Sequence, residues 1–229
     1  NFYKMKFDIC VFLTCTNLFR QASWIKSAVS ILKKNSKIMN FFRLVKLDHI
    51  AWPLRRLHCP VQKNDLVLEV GSGGSPYPRS NVLCDAYETT FERYNVPLIY
   101  DRPTIIAFVE DLPFKDDSFD FVIASHVLEH VEDVDFFIKE LERVSTKGYI
   151  ELPTILEDNL VFENKKDHLW HMEFDDNKNE LQISNKVQYL EPVITVSSIK
   201  KFSKYFRQSL VLELYWENSI DFKKIEKSF

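Results

Sequence analysis

The stretch Asp65-Leu66-Val67-Leu68-Glu69-Val70-Gly71-Ser72-Gly73-Gly74 decides the fold. It opens as a short apolar run, the length of a buried strand, and ends in glycines. A ligand can lie across the carboxyl end of a parallel strand only where the backbone approaches it without a Cβ in the way. Glycines allow that approach and accept turn conformations that other residues resist. The whole chain has 4 glycines, so three at one turn (Gly71, Gly73, Gly74) mark the place. Taken alone, the pattern is weak, because a plain buried strand turn is the alternative.

Short apolar runs recur downstream of this turn at Asn81–Cys84 (NVLC), Thr104–Val109 (TIIAFV), Phe121–Ala124 (FVIA) and Tyr149–Leu152 (YIEL). Between the last two, Val134, Phe137, Ile138, Leu141 and Val144 fall at helical spacing. Acidic Glu132, Asp133 and Asp135 lie at that helix's N-terminal end, where they complement its dipole. Strand and helix in alternation predict an α/β fold on a parallel sheet. The interval from Gly74 to Asp85 is short and carries Pro76 and Pro78, so it has no room for a full helix. Beyond Pro153 the rhythm weakens. Residues 157–185 are polar, dotted with His and Trp, and expected to form a lid or hairpin. Ser197–Phe206 reads as a helix, and Ser209–Trp216 as a last strand with Leu210, Leu212 and Leu214 alternating. Upstream, Phe7–Thr14 reads as a strand, while Ala22–Lys34 and Met39–Leu57 read as helices, the latter ended or kinked by Pro53.

Bulk composition narrows the class. The 229 residues suffice for one α/β domain, and 45% hydrophobic with 28% charged residues is ordinary for a globular protein. A formal net charge of −3 gives no electrostatic grip on nucleic acid. Cys10, Cys15, Cys59 and Cys84 form no CxxC pair or metal-ligand spacing and read as thiols in a reducing compartment. No apolar run approaches the roughly 20 residues that span a bilayer. Ile9–Phe19, broken by Thr14, Thr16 and Asn17, is a poor signal-peptide core, so a cytoplasmic location is expected. The chain opens on Asn1 rather than Met, which reads as a processed product or a fragment.

Two further features carry chemistry. Asp85 closes the second strand, where an acid can accept both hydroxyls of a ribose, although a surface-loop aspartate would look the same. The longest motif runs from Glu110 to His130, EDLPFKDDSFDFVIASHVLEH. With the glycine turn before it, this resembles the class I S-adenosylmethionine-dependent methyltransferases, in particular the branch of small-molecule and ubiquinone-pathway enzymes. The resemblance runs from Asp65 to Thr154, with several motifs in family order at family spacing. It implies a Rossmann-like methyltransferase fold: a mostly parallel, seven-stranded sheet with helices on both faces. It also implies S-adenosylmethionine as the cofactor.

By the same resemblance, Glu69, Gly71, Ser72 and Gly73 form the loop at the cofactor's methionine part, and Asp85 is the ribose acid. Val109, Glu110, Asp111 and Leu112 form the adenine wall, and Ser125 with His126 the strand-four turn that faces the transferred methyl. One position departs from the pattern. Related enzymes carry an aspartate four residues before the Leu-Pro-Phe leucine, and here that residue is Phe108, leaving adenine to Glu110, Asp111 or stacking. The strings GSGGSPYPRS and YDRP (Tyr100–Pro103) resemble a sub-branch associated with surface-polysaccharide gene products. Asp8–Lys34 is similar to a strand-and-helix piece of a sugar-acid cytidylyltransferase, or equally forms a helical cap.

The expected reaction is methyl transfer to a small-molecule or glycan-type acceptor, at oxygen. A lipid, quinone or protein acceptor is the alternative within enzymes, and a catalytically silent binding or scaffold protein the alternative outside them. The sulfonium is already activated, so in-line placement supplies much of the rate. A hydroxyl acceptor additionally needs a base. His126, His130, His168 and His171 are the candidates, with His126 and His168 taken as catalytic. No metal is assigned, because His168-Leu-Trp-His171 has no further ligand cluster beside it in sequence. The expected organisation is an extension over residues 1–38 and a methyltransferase domain over 39–229 with a lid at 157–190.

Overall fold

The computed structural model describes residues 59–90 and 96–226. The expectations for residues 1–38 and for the helix over Met39–Leu57 lie outside them. Strands β1 (Val67–Val70), β2 (Val82–Asp85), β3 (Thr104–Ile106), β4 (Phe121–Ser125), β5 (Lys147–Pro153) and β8 (Val211–Glu217) form one sheet in the order β3-β2-β1-β4-β5-β8. The first five run parallel, and β8 pairs antiparallel with β5. β1 and β4 are buried along their whole length, which is why their sequences are apolar runs rather than alternations. The fold is α/β and Rossmann-like, as the alternation of elements predicts.

Among the described residues six strands join this sheet, where the resemblance implies seven for the whole domain. The hairpin β6 (Trp170–Asp175) and β7 (Glu180–Asn185) instead pairs with β9 (Phe222–Lys224) in a separate three-stranded sheet. Its apolar side explains this. Met172, Leu181 and Ile183 are buried in the same core as Leu68, Val122, Ile150 and Leu214 of the main sheet, so the hairpin covers that sheet's face instead of extending its edge. The stretch expected as a lid or hairpin also holds α2 (Ile155–Leu160) and α3 (Asn164–Asp167).

Helix α1 (Val134–Val144) shares that face. Its apolar stripe is buried as predicted, and Asp133 caps it by accepting from the amides of Asp135 (2.9 Å) and Phe136 (3.1 Å). On the opposite face, Tyr77 from the turn after β1 packs with Cys59, Val61, Val67, Phe121, Ile123 and Tyr149. No helix forms between β1 and β2, in keeping with the two prolines. Helix α4 (Val196–Leu210) takes in Ser209 and Leu210, which had looked like strand, because Leu210 is buried with Val161, Ile199 and Val211. β3 stops at Ile106, and the chain turns where the Asp111 amide donates to the Phe108 carbonyl (3.2 Å). Among the described residues, no helix is long and apolar enough to cross a membrane.

The Leu-Pro-Phe segment is held to α1 by one ion pair. Arg143 donates to the carbonyls of Leu112 (2.9 Å) and Phe114 (2.7 Å) and to the Glu140 carboxylate (2.6 Å), which itself accepts from the Leu112 amide (2.8 Å). The Arg143 hydrogen bond, only partly opposed by burial, holds the Glu140 carboxyl below its usual range. A lowered folded-state pKa stabilises the fold above the ordinary glutamate range, and that contribution disappears as pH falls through the folded value. Glu140→Gln is therefore expected to cost about 1 kcal/mol near neutral pH, the pair being partly open to solvent. In denaturant unfolding, the difference from wild type should shrink as pH falls through the lowered folded-state value of Glu140, because both chains then carry a neutral side chain at this position.

Candidate active site

The sheet order places a switch point between β1 and β4. The chain leaves β1 toward β2 and β3 on one side and returns to β4 and β5 on the other, so the loops diverge and leave a crevice at the carboxyl ends. Val70 lies beside Ala124 in register, which sets the glycine turn against the strand-four turn. Gly71 (φ 62°) and Gly73 (φ 56°) both adopt left-handed conformations. A Cβ on Gly71 would stand 2.2 Å from Cγ2 of Val127. The Ser72 amide donates to the Cys84 carbonyl (3.2 Å) and the Gly73 amide to Oδ2 of Asp85 (2.9 Å). Oδ1 of Asp85 accepts from the Tyr87 amide (3.2 Å). The Ser72 hydroxyl is buried and has no hydrogen-bond partner among the described residues.

Glu69 points away from this crevice, toward the face covered by Tyr77. Its buried carboxylate accepts from the Tyr77 amide and the Ser80 hydroxyl, both at 2.7 Å. From the other side Arg102 donates to the carbonyls of Tyr77 (3.0 Å) and Ser80 (2.8 Å). A carboxylate taking the donors and a guanidinium taking the acceptors thus hold the proline-containing turn that stands where a helix would otherwise begin. Arg102, in the YDRP string, is a positioning residue that the sequence reading did not single out.

The expected adenine wall divides in two. Val109 and Leu112 are buried in the core, while Glu110 is half-buried and Asp111 exposed. Phe108, in place of the anticipated aspartate, is exposed and meets Tyr87 edge to face, with ring centroids 5.5 Å apart. Two aromatic rings therefore stand just past the ends of β2 and β3.

At the end of β4, Ser125 donates to Oε2 of Glu151 (2.7 Å). Glu151 also accepts from the Tyr149 hydroxyl (2.9 Å) and from Arg207 (2.7 Å), so this buried carboxylate is fully engaged beneath the turn. His126 has φ 56°, and its amide donates to the Glu151 carbonyl (2.9 Å). Its Nδ1 lies 3.2 Å from Oε1 of Glu129, a carboxylate with no solvent exposure, whereas the imidazole itself is 35% exposed. Burial, the largest influence, pushes the His126 pKa down, but the hydrogen bond and charge of Glu129, with Glu157 and Glu151, outweigh it and leave it raised.

The second predicted histidine lies in the same cluster. Nδ1 of His168 is 2.5 Å from Oδ1 of Asp158, and Asp158 also pairs with Nε2 of His171 (2.8 Å) and Nζ of Lys186 (3.2 Å). Those contacts overcome burial and hold the Asp158 carboxyl well below its usual range. His130 meets His168 edge to face at 4.7 Å. The structure thus brings His126, His130 and His168 around Glu129, and His168 and His171 around Asp158. Neither carboxylate was singled out in sequence. Glu129 has one sign there, a lone acid between apolar Leu128 and Val131, while Asp158 is one of many acids in a polar stretch.

Residues 68–150 match the family model described as a methyltransferase domain. Over those residues the chain carries a methyltransferase domain. Its cofactor is S-adenosylmethionine. An uncharacterised protein of Methanocaldococcus jannaschii is 26% identical over 200 residues, 84% of each chain. Among solved structures, an S-adenosylmethionine-dependent methyltransferase from Thermotoga maritima is 20% identical with a TM-score of 0.37. That alignment covers 60% of this chain and 65% of the other, a little under two thirds of its length. A protein from Pyrococcus horikoshii is 14% identical with a TM-score of 0.43, covering 75% of this chain and 90% of that one.

In this methyltransferase domain Gly71 admits no side chain without movement. Gly71→Ala combines a left-handed backbone, which costs an alanine about 1–2 kcal/mol, with displacement of Val127. Thermal unfolding is expected to show a loss of at least about 2 kcal/mol. A variant as stable as wild type would contradict this packing.

Proposed function

We propose that this domain transfers the methyl group of S-adenosylmethionine to an oxygen of a small-molecule or glycan-type acceptor, with His126 as the base. The glycine turn fits the cofactor chemically. Ser72 presents a buried hydroxyl without a partner among the described residues, and Asp85, whose carboxylate accepts from the Gly73 and Tyr87 amides, closes β2 beside it as an acid suited to ribose hydroxyls. On this reading Glu69 positions the turn, Gly71, Ser72 and Gly73 line the cofactor's methionine part, and Asp85 holds its ribose. The exposed pair Phe108 and Tyr87 offers adenine an aromatic surface, with Glu110 and Asp111 at its edge and Val109 and Leu112 packed behind. S-adenosylmethionine supplies an activated methyl on a sulfonium.

The observation that carries the oxygen acceptor is the His126–Glu129 pair at the switch point. With Nδ1–H donating to the Glu129 carboxylate, the neutral ring keeps Nε2 as its acceptor nitrogen, and that ring is partly exposed. A hydroxyl must lose its proton during attack and needs such a base. Ser125 and Glu151 fix the backbone from which that ring projects. The similarity of the glycine and YDRP strings to surface-polysaccharide gene products supports a glycan-type acceptor.

Two measurements test this. Titration calorimetry should show one S-adenosylmethionine site, lost in Asp85→Ala. Radiolabelled methyl should pass into a glycan or small-molecule fraction, and His126→Asn should lower that rate roughly 100-fold with cofactor affinity almost unchanged. Label found only in lipid or protein would overturn the acceptor class, and binding without any transfer would identify a silent binding protein.

A further inference from the structure

Glu129, His130 and His168 each offer a ligand atom, and these atoms all lie within 4.8 Å of one another. Both histidines are oriented for this. Nδ1 of His130 meets the Asp167 carbonyl at 3.0 Å, and Nδ1 of His168 meets the Asp158 carboxylate at 2.5 Å. An N–H directed at a carbonyl or carboxylate through Nδ1 leaves Nε2 unprotonated, the arrangement in which histidine ligates a metal. Glu129 supplies the charge. It has no solvent exposure, one oxygen takes His126, and the other, Oε2, is buried with no hydrogen-bond partner among the described residues. An orphaned buried carboxylate oxygen is costly unless something of opposite charge meets it.

We propose that Glu129, His130 and His168 form a divalent transition-metal site, with Asp158 and the Asp167 carbonyl as the outer groups that orient the two imidazoles. Two nitrogens and one carboxylate oxygen suit zinc and its neighbours in the first transition row rather than magnesium or calcium, which prefer oxygen ligands throughout. Bonds of about 2.1 Å would bring the three ligand atoms together by side-chain shifts of about 1 Å. Three protein ligands leave a coordination position open, as in sites that bind a reacting molecule rather than closed structural ones. His126 shares Glu129 with this site. Resting on the oxygen-acceptor reading above, the ion would there take an acceptor hydroxyl or its oxyanion as ligand.

The site is tested without acceptor or cofactor, so its outcome is independent of that reading. The full chain, stripped with chelator and dialysed, is titrated with Zn2+ by calorimetry and then loaded with Co2+. Expected are one ion per chain and visible Co2+ absorption of a four- or five-coordinate nitrogen–oxygen site. His168→Ala and Glu129→Gln should abolish both, and Asp158→Asn should weaken Zn2+ binding 10- to 100-fold. Far-ultraviolet circular dichroism and a cooperative thermal transition show that each variant remains folded. Failure of the folded wild-type chain to retain Zn2+ or develop the Co2+ spectrum would overturn the site, and so would equal retention by the folded His168→Ala variant.

Discussion

The parallel pairing of β1 with β4, Val70 beside Ala124, is the contact from which the rest of the molecule's chemistry follows, because it makes two unlike turns neighbours. One turn is almost bare backbone and the other carries a histidine. They touch through Gly71 and Val127, at a distance that leaves no room for a Cβ. The hydrogen bonds across the crevice bottom extend this contact: Ser72 to Cys84, Gly73 to Asp85 and His126 to the Glu151 carbonyl. Each strand end is thereby tied to its neighbour, and the crevice is fixed by the sheet rather than by flexible loops.

Beneath that crevice the protein buries several ionisable groups. Glu69, Glu151, Glu129 and Asp158 are all almost wholly inaccessible. Three of them have a clear tether: Glu69 with the 77–80 turn, Glu151 with Ser125, Tyr149 and Arg207, and Asp158 with two histidines and Lys186. Buried carboxylates so satisfied act as rigid anchors, at a desolvation cost that their partners offset. Glu129 differs, with one oxygen committed to His126 and the other orphaned, and it is the group at which the histidines converge.

Much of this could be read before the fold was known. The five parallel strands, α1 with its acidic cap and the absence of a helix after the glycines all follow from local pattern, because period, capping and proline chemistry are local properties. The strand limits near residues 106 and 210 shifted by a few residues, where burial of Leu210 and exposure of Phe108 overrode local preference. The Leu-Pro-Phe motif, which follows the expected adenine wall Val109–Leu112 and shares Leu112 with it, is held to α1 by Arg143 and Glu140. Glu69 turned toward the post-glycine turn instead of the crevice, since alternate residues of a strand face opposite sides of the sheet.

The sequence by itself determined the element order, the glycine turn, Asp85 and the family resemblance. Those depend on residues close together along the chain, whose spacing carries the physics. Only the tertiary structure decided that hairpin β6–β7 would cover the sheet instead of joining it. It likewise brought His168 to Glu129 and His130, and Asp158 behind His168. Those groups belong to different elements of the chain, and they meet because the apolar side of the hairpin must be buried against the main sheet.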